Sequence, residues 1–228
     1  MPQQSSPRGS SRWDVPSTVV HVAFAGLIGV ALLGDEFDTR AIAIVMACSA
    51  VLDLDTLIGI VVPGTHRAAF HNLWIVLVPA AVLLWDGAIR DRSIVRDRWG
   101  EYGHRIAWAS LAGLLFAHVL FDAFFNGVNL FWPVHDRFYD LSGSLLVTDQ
   151  RGLVQTFVEL DAGTVAESTA RGTTENTHYR TGFDPTRDGP ATAVERIFPI
   201  AATGERFVLT VAGFATVLVR IVEDRRGD

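Results

Sequence analysis

Seven side chains suited to metal chemistry are set into otherwise apolar sequence. Asp53 and Asp55 flank Leu54, His66 and His71 bracket a short segment with Arg67 beside the first, and His118 precedes Asp122 by four residues. His21 lies near the start of an earlier apolar run. An ionised group removed from water must be paired, neutralised or bound to a metal, so these residues imply partners elsewhere in the chain. The set is nitrogen and oxygen without sulfur, which suits Zn²⁺, Mn²⁺ or Fe²⁺ rather than a cysteine-based structural zinc.

His118 and Asp122, at i and i+4, share one helix face and can reach one ion. Asp53 and Asp55 are about 200° apart around a regular helix. Either that helix is distorted or one aspartate faces the ion while the other orients a histidine. The expected ligands are His21, Asp53, His66, His71, His118 and Asp122, holding one or two divalent ions, with zinc the expected metal. Asp55 is then a base or an orienting group, and Arg67 a clamp for a phosphate oxygen. Such a site acidifies water near neutral pH and stabilises an in-line displacement at phosphorus.

The elements that must position these groups are five apolar runs, at residues 17–33, 41–62, 66–85, 106–125 and 206–222. The first is close to the minimum of about 17 residues for a bilayer crossing. Pro63-Gly64 breaks the second from the third, and Thr65 is placed to cap the helix that follows. Residues 86–105 form a charged connector. From Asn126 the sequence turns aromatic and turn-rich, with strand-like stretches at 144–148 and 152–160 that suit a small hairpin. The predicted class is all-α: a polytopic membrane bundle of four to five transmembrane helices with a small irregular or β extramembrane segment. Its parts are a polar tail (1–16), a four-helix core (17–139), an extramembrane loop segment (140–204) and a fifth helix with a charged tail (205–228).

Composition narrows the function classes. The 228 residues carry a net charge of −6, and their 49% hydrophobic content is segregated into runs, as in an integral membrane protein. A negative chain without basic clusters argues against nucleic-acid binding. Cys48 is the only cysteine, so there is neither an intrachain disulfide nor a thiolate site. With five spans, one side would hold Arg40, the arginines of the connector and those of the C-terminal tail. The other would hold Arg8, Arg12, Arg67, Arg137 and Arg206. The positive-inside rule places the first group in the cytoplasm. All seven metal-capable groups then fall at the extracytoplasmic face, on four different helices.

The ordered set of motifs resembles the membrane-bound metal-dependent hydrolases of the YdjM type, described as LexA-binding and associated with the inner membrane. The carriers are His21, Asp53-Leu54-Asp55, His66-Arg67-Ala68-Ala69-Phe70-His71-Asn72, His118 through Asp122, and Gly127-Val128-Asn129-Leu130-Phe131-Trp132-Pro133. Ala68 stands where that pattern has Gly and Asn72 where it has Ser. The resemblance spans residues 19–139 and implies a hydrolase.

The sequence reading is therefore a multi-pass cell-membrane hydrolase acting on a phosphoester of a lipid or lipid-linked molecule, with the bilayer itself as a partner. Two alternatives differ in class. An ion- or proton-coupled transporter would use the Asp and His groups as a relay, and a membrane scaffold would bind a partner through residues 126–205. The cytoplasmic halves of the runs are nearly free of ionisable groups, which counts against the relay.

Overall fold

The computed structural model describes residues 17–157, 169–179, 181–183 and 196–227. The chain is mostly helical. Its elements in order are α1 (Thr18–Leu33), α2 (Thr39–Leu52), α3 (Asp55–Val61), α4 (Trp74–Ala88), α5 (Ile94–Ala112), a π-helical stretch (Gly113–Val119), α6 (Leu120–Phe125), β1 (Leu145–Thr148), β2 (Gly152–Gln155) and α7 (Gly204–Gly227). Among the described residues three stretches are long and apolar enough to cross a membrane: Thr18–Glu36, Thr39–Val61 and Ile94–Phe125. Helix α4 is apolar but shorter. In α7 the uncharged stretch runs only from Phe207 to Val219, between two arginines, so the fourth and fifth expected spans are less complete than the other three.

Helices α1, α2, α5 and α7 meet around Leu33, Phe37, Ala41, Ile42, Val45, Ile106, Ala109 and Val217. Close approach there depends on small residues. A Cβ at Gly213 of α7 would collide with the carbonyl of Ala23, and one at Gly26 would stand 2.8 Å from Val217. A second cluster, Leu52, Val119, Ala123, Val128 and Leu130, lies where α2 ends and α6 begins. The polar centre is built beside it.

Three local features differ from the sequence expectation. The second run is not one helix: α2 ends at Leu52, Asp53 is its C-cap, and α3 starts anew at Asp55. The third helix begins at Trp74 rather than near His66, so residues 62–73 are a turn-rich segment. Thr65 does not cap α4. Its hydroxyl donates to the Val62 carbonyl, and Asn72 Oδ1 instead accepts from the Trp74 and Ile75 amides at 3.1 and 3.3 Å, as an N-cap side chain does. Finally, the charged connector is helical from Ile94, with a kink at Gly100 (φ 67°). Asp86 makes this possible by accepting from the Ile94 and Val95 amides and the Ser93 hydroxyl.

The segment following α6 braces the turn-rich one. Asn129 N donates to the Arg67 carbonyl and Leu73 N to the Leu130 carbonyl, each at 2.9 Å. Tyr139 bridges antiparallel to both Val128 and Ala170, and Asp136 accepts from the Thr174 amide and hydroxyl. Residues 169–179 are thereby tied down over the helix ends. Strands β1 and β2 form the expected hairpin, pairing Leu145 with Gln155 and Thr148 with Gly152. The remainder of the second strand-like stretch, residues 158–160, and the tail 1–16 are outside the described residues.

Candidate metal centre

The break between α2 and α3 decides how Asp53 and Asp55 are used. Released from a single regular helix, the two carboxylates serve different roles around one imidazole. Asp55, with no exposed surface, accepts from His66 Nδ1 through Oδ1 and from His71 Nδ1 through Oδ2, both at 2.7 Å. Its Oδ2 also faces the backbone amides of Arg67 at 3.1 Å and Phe70 at 3.4 Å. Both oxygens are therefore occupied. A neutral His71 whose Nδ1–H is held in this way presents the lone pair of Nε2 on the opposite edge.

That Nε2 points into a dense set of donors. His118 Nε2 is 2.9 Å away, Asp53 Oδ1 3.5 Å and Asp122 Oδ2 3.4 Å. His118 Nε2 is also 3.4 Å from Asp53 Oδ1. Ligands at about 2.1 Å from a tetrahedral ion are separated by roughly 3.4 Å, so these spacings match the edges of a coordination polyhedron. Two imidazole nitrogens so close need a positive species between them, a shared proton or a metal ion, because facing lone pairs repel.

His21 completes the centre from α1. Its Nδ1 donates to the Ala117 carbonyl at 2.7 Å, its ring stacks on that of His118 with centroids 3.9 Å apart, and its Nε2 is 3.3 Å from Asp122 Oδ1. The residue offering that carbonyl lies in the π-helical stretch immediately before His118. Single π turns recur at functional sites because they re-aim side chains without ending the helix. His21 Nε2 and Asp53 Oδ2 are both buried without a hydrogen bond, so each has capacity left for a partner other than a protein group.

Among the described residues, the groups able to hold a metal ion are Asp53, His71 and His118, and His21, His118 and Asp122. Five of the six ligands expected from sequence thus come together. His66 is in neither group: it is tied by Nδ1 to Asp55, with Thr56 Oγ1 at 3.2 Å. Arg67 is inside as well, 1% exposed, with one guanidinium nitrogen 3.2 Å from Asp122 Oδ1 and another donating to the Gly127 carbonyl at 3.2 Å. It is the one non-glycine residue with positive φ (63°) among those described. Asp55 and Asp122, both buried, and the partly exposed Asp53 are thus gathered around one guanidinium, leaving negative charge that a divalent cation would offset.

Sequence reasoning missed two participants. Ser49, fully buried, places its hydroxyl 3.3 Å from His118 Nδ1. The signal was present, since Ser49 precedes Asp53 by four residues and so shares its helix face. Tyr179 stacks over the Arg67 guanidinium at 4.8 Å and donates its hydroxyl to the Asn126 carbonyl at 2.9 Å. Nothing local in the sequence links Tyr179 to Arg67. Away from the centre, His104 is half-buried against Trp108, whose Nε1 donates to its Nε2 at 3.1 Å.

The family model for the YdjM inner membrane protein matches residues 17–181, which include every residue of this centre. The chain belongs to the YdjM inner membrane protein family. Membership and the three long apolar helical stretches among the described residues together make it a membrane protein. No curated protein and no solved structure gave a significant match. The His/Asp cluster of this YdjM-family chain is therefore read from its own geometry.

Proposed function

We propose that this YdjM-family protein is a membrane-embedded metal-dependent hydrolase of a phosphoester carried by a lipid or lipid-linked molecule. The observation that carries this reading is the convergence of His118 Nε2, Asp53 Oδ1 and Asp122 Oδ2 on His71 Nε2 at 2.9–3.5 Å, with Asp53 Oδ1 also 3.4 Å from His118 Nε2. Imidazole and carboxylate without sulfur suit zinc or manganese. One nitrogen lone pair binds one ion, and His118 Nδ1 is turned to Ser49, so the two overlapping groups favour a single centre shared through His118. A divalent ion there would supply charge stabilisation at a phosphoryl oxygen and acidify nearby water.

The chain's own residues divide the remaining work. Asp55 holds His71 in the tautomer that presents Nε2, and the Ala117 carbonyl does the same for His21. Arg67 fixes Asp122 and balances part of the buried charge, a role its burial suits better than that of an exposed phosphate clamp. Asp53 Oδ2 has no partner, and Asp53 is the most exposed of the ligands at 21% of its side chain. With Oδ1 turned to the centre, that buried Oδ2 is the carboxylate oxygen left to take a proton from a water bound there, a task Asp55 cannot perform with both oxygens engaged. The arginine distribution supports an extracytoplasmic position for the centre.

Elemental analysis of the protein purified without chelators tests this reading, with wild type compared against His71→Ala combined with His118→Ala. Stoichiometric zinc or manganese in the first and its loss in the second is expected. Absence of a bound transition metal from the wild type would overturn the proposal.

A further inference from the structure

We infer that the centre is reached sideways from the hydrocarbon of the bilayer, through a doorway at Val51, Leu54 and Leu57, so that its ligand is a phosphate-bearing amphiphile rather than a water-soluble phosphoester. This deepens the hydrolase reading and rests on it.

The centre is closed on most sides. His21, His71 and His118 have no exposed surface, and Asp122 is 1% exposed. On the Arg67 side the roof is Tyr179, anchored by its hydroxyl to the Asn126 carbonyl. Its own segment is fastened through Thr174 to Asp136 and through Ala170 to Tyr139. Among the ligands only Asp53 reaches the surface appreciably, and its unpartnered Oδ2 is buried just behind that exposed part.

The surface it reaches is apolar. Val51 and Leu54, two residues before Asp53 and one after it, are each 50% exposed, and Leu57 on the next turn is 48% exposed. All three belong to Thr39–Val61, a stretch apolar and long enough to cross a membrane. In a bilayer those side chains meet acyl chains, because exposed aliphatic groups on a spanning helix are solvated by lipid. A phosphate approaching Asp53 past them must be attached to a chain that is itself soluble in that layer. An isolated hydrophilic phosphoester would have to shed its hydration to cross the same rim.

The test uses the full chain loaded with Mn²⁺ in phosphate-free maltoside micelles, with equal molar amounts of either phosphatidylglycerol or glycerol phosphate. Electron–nuclear double resonance then reads ³¹P coupling per bound Mn²⁺. Coupling is expected with phosphatidylglycerol and not with glycerol phosphate. Leu54→Trp, which plugs the doorway, should abolish it, while Leu146→Trp on β1 should leave it intact. Equal coupling from glycerol phosphate, or a Leu54→Trp signal as strong as wild type, overturns the sideways route while leaving the metal centre standing. Failure of the wild type to retain Mn²⁺ or Zn²⁺ overturns both.

Discussion

His71 Nε2 and His118 Nε2 face each other at 2.9 Å, brought there from segments 47 residues apart in sequence. Each ring is held from behind, His71 by Asp55 and His118 by Ser49. Facing nitrogens fixed in this way form a site complementary to a cation. If the proposed ion is bound there, its removal should destabilise the native state by mass action, by about 4 kcal/mol where free metal had been at a thousand times its dissociation constant. Thermal unfolding in detergent, with and without a strong chelator, measures this. The midpoint should fall on chelation and recover on adding Zn²⁺, and His118→Ala should show no response to either.

Asp55 is the group on which the orientation of His71 depends. Asparagine has one acceptor oxygen where Asp55 uses two, and its amide nitrogen would confront one of the two imidazole N–H groups. Asp55→Asn should weaken metal binding about 10- to 100-fold, the usual cost of losing a partner that orients a ligand. Competition against a fluorescent chelator provides the measurement. Unchanged affinity would show that His71 needs no such support.

Arg67 and Asp122 form a buried pair at 3.2 Å, both 1% exposed. Removing the guanidinium alone leaves the buried Asp122 carboxylate with only the His21 and His71 imidazoles beside it, so Arg67→Met should cost about 3–5 kcal/mol. Combining it with Asp122→Asn should recover part of that loss, because the orphaned charge is removed too. A double-mutant cycle on unfolding free energies checks the coupling. Additive losses would mean that the pair contributes no coupling energy.

Tyr179 is pushed above its ordinary pKa of 10.0 chiefly by burial, against the opposing effect of the Arg67 guanidinium. Its hydroxyl is then protonated and able to donate to Asn126 throughout the physiological range. The stability this gives is fully present below about pH 10 and is lost as pH rises through the higher folded value. An ultraviolet difference titration of wild type against Tyr179→Phe isolates this phenol. Ionisation at or below the ordinary value would contradict the burial. Tyr179→Phe keeps the ring over Arg67 and should cost about 0.5–1.5 kcal/mol, with Tyr179→Ala costing more.

Gly213 allows α7 to lie directly against the α1 backbone at Ala23. Gly213→Leu should push the helices apart and destabilise the protein by about 1–3 kcal/mol. Val208→Leu, on the exposed face of the same helix, serves as the control. Equal stability of the two variants would argue against this docking.

Much of the centre was legible in the sequence because polar groups stand out against apolar runs. His21, Asp53, His71, His118 and Asp122 could be nominated from type and surroundings alone, and the long helices from the length of those runs. The roles within the set were less legible. His66 and His71 look equivalent in sequence, yet only His71 reaches the centre, because both are tethered to Asp55 and the turn-rich segment aims one ring inward and the other toward Thr56. Sequence alone suggested Arg67 as a clamp for substrate and gave no sign of its burial beneath Tyr179 or its contact with Asp122. The helix expected to begin near His66 starts at Trp74, since Asn72, rather than Thr65, supplies the capping oxygen.

The sequence by itself determined that this chain is helical and membrane-bound, and that it brings histidine and aspartate into an apolar interior. Those conclusions follow from composition and periodicity, which act locally along the chain. Only the tertiary structure decided which of Asp53 and Asp55 faces the centre. A helix that continued through both would set them on opposite sides, and the break at Leu52–Asp55 depends on long-range partners: His66 and His71 on one carboxylate, His118 on the other. Distances between groups remote in sequence are set by how helices and loops pack, and no local pattern encodes them.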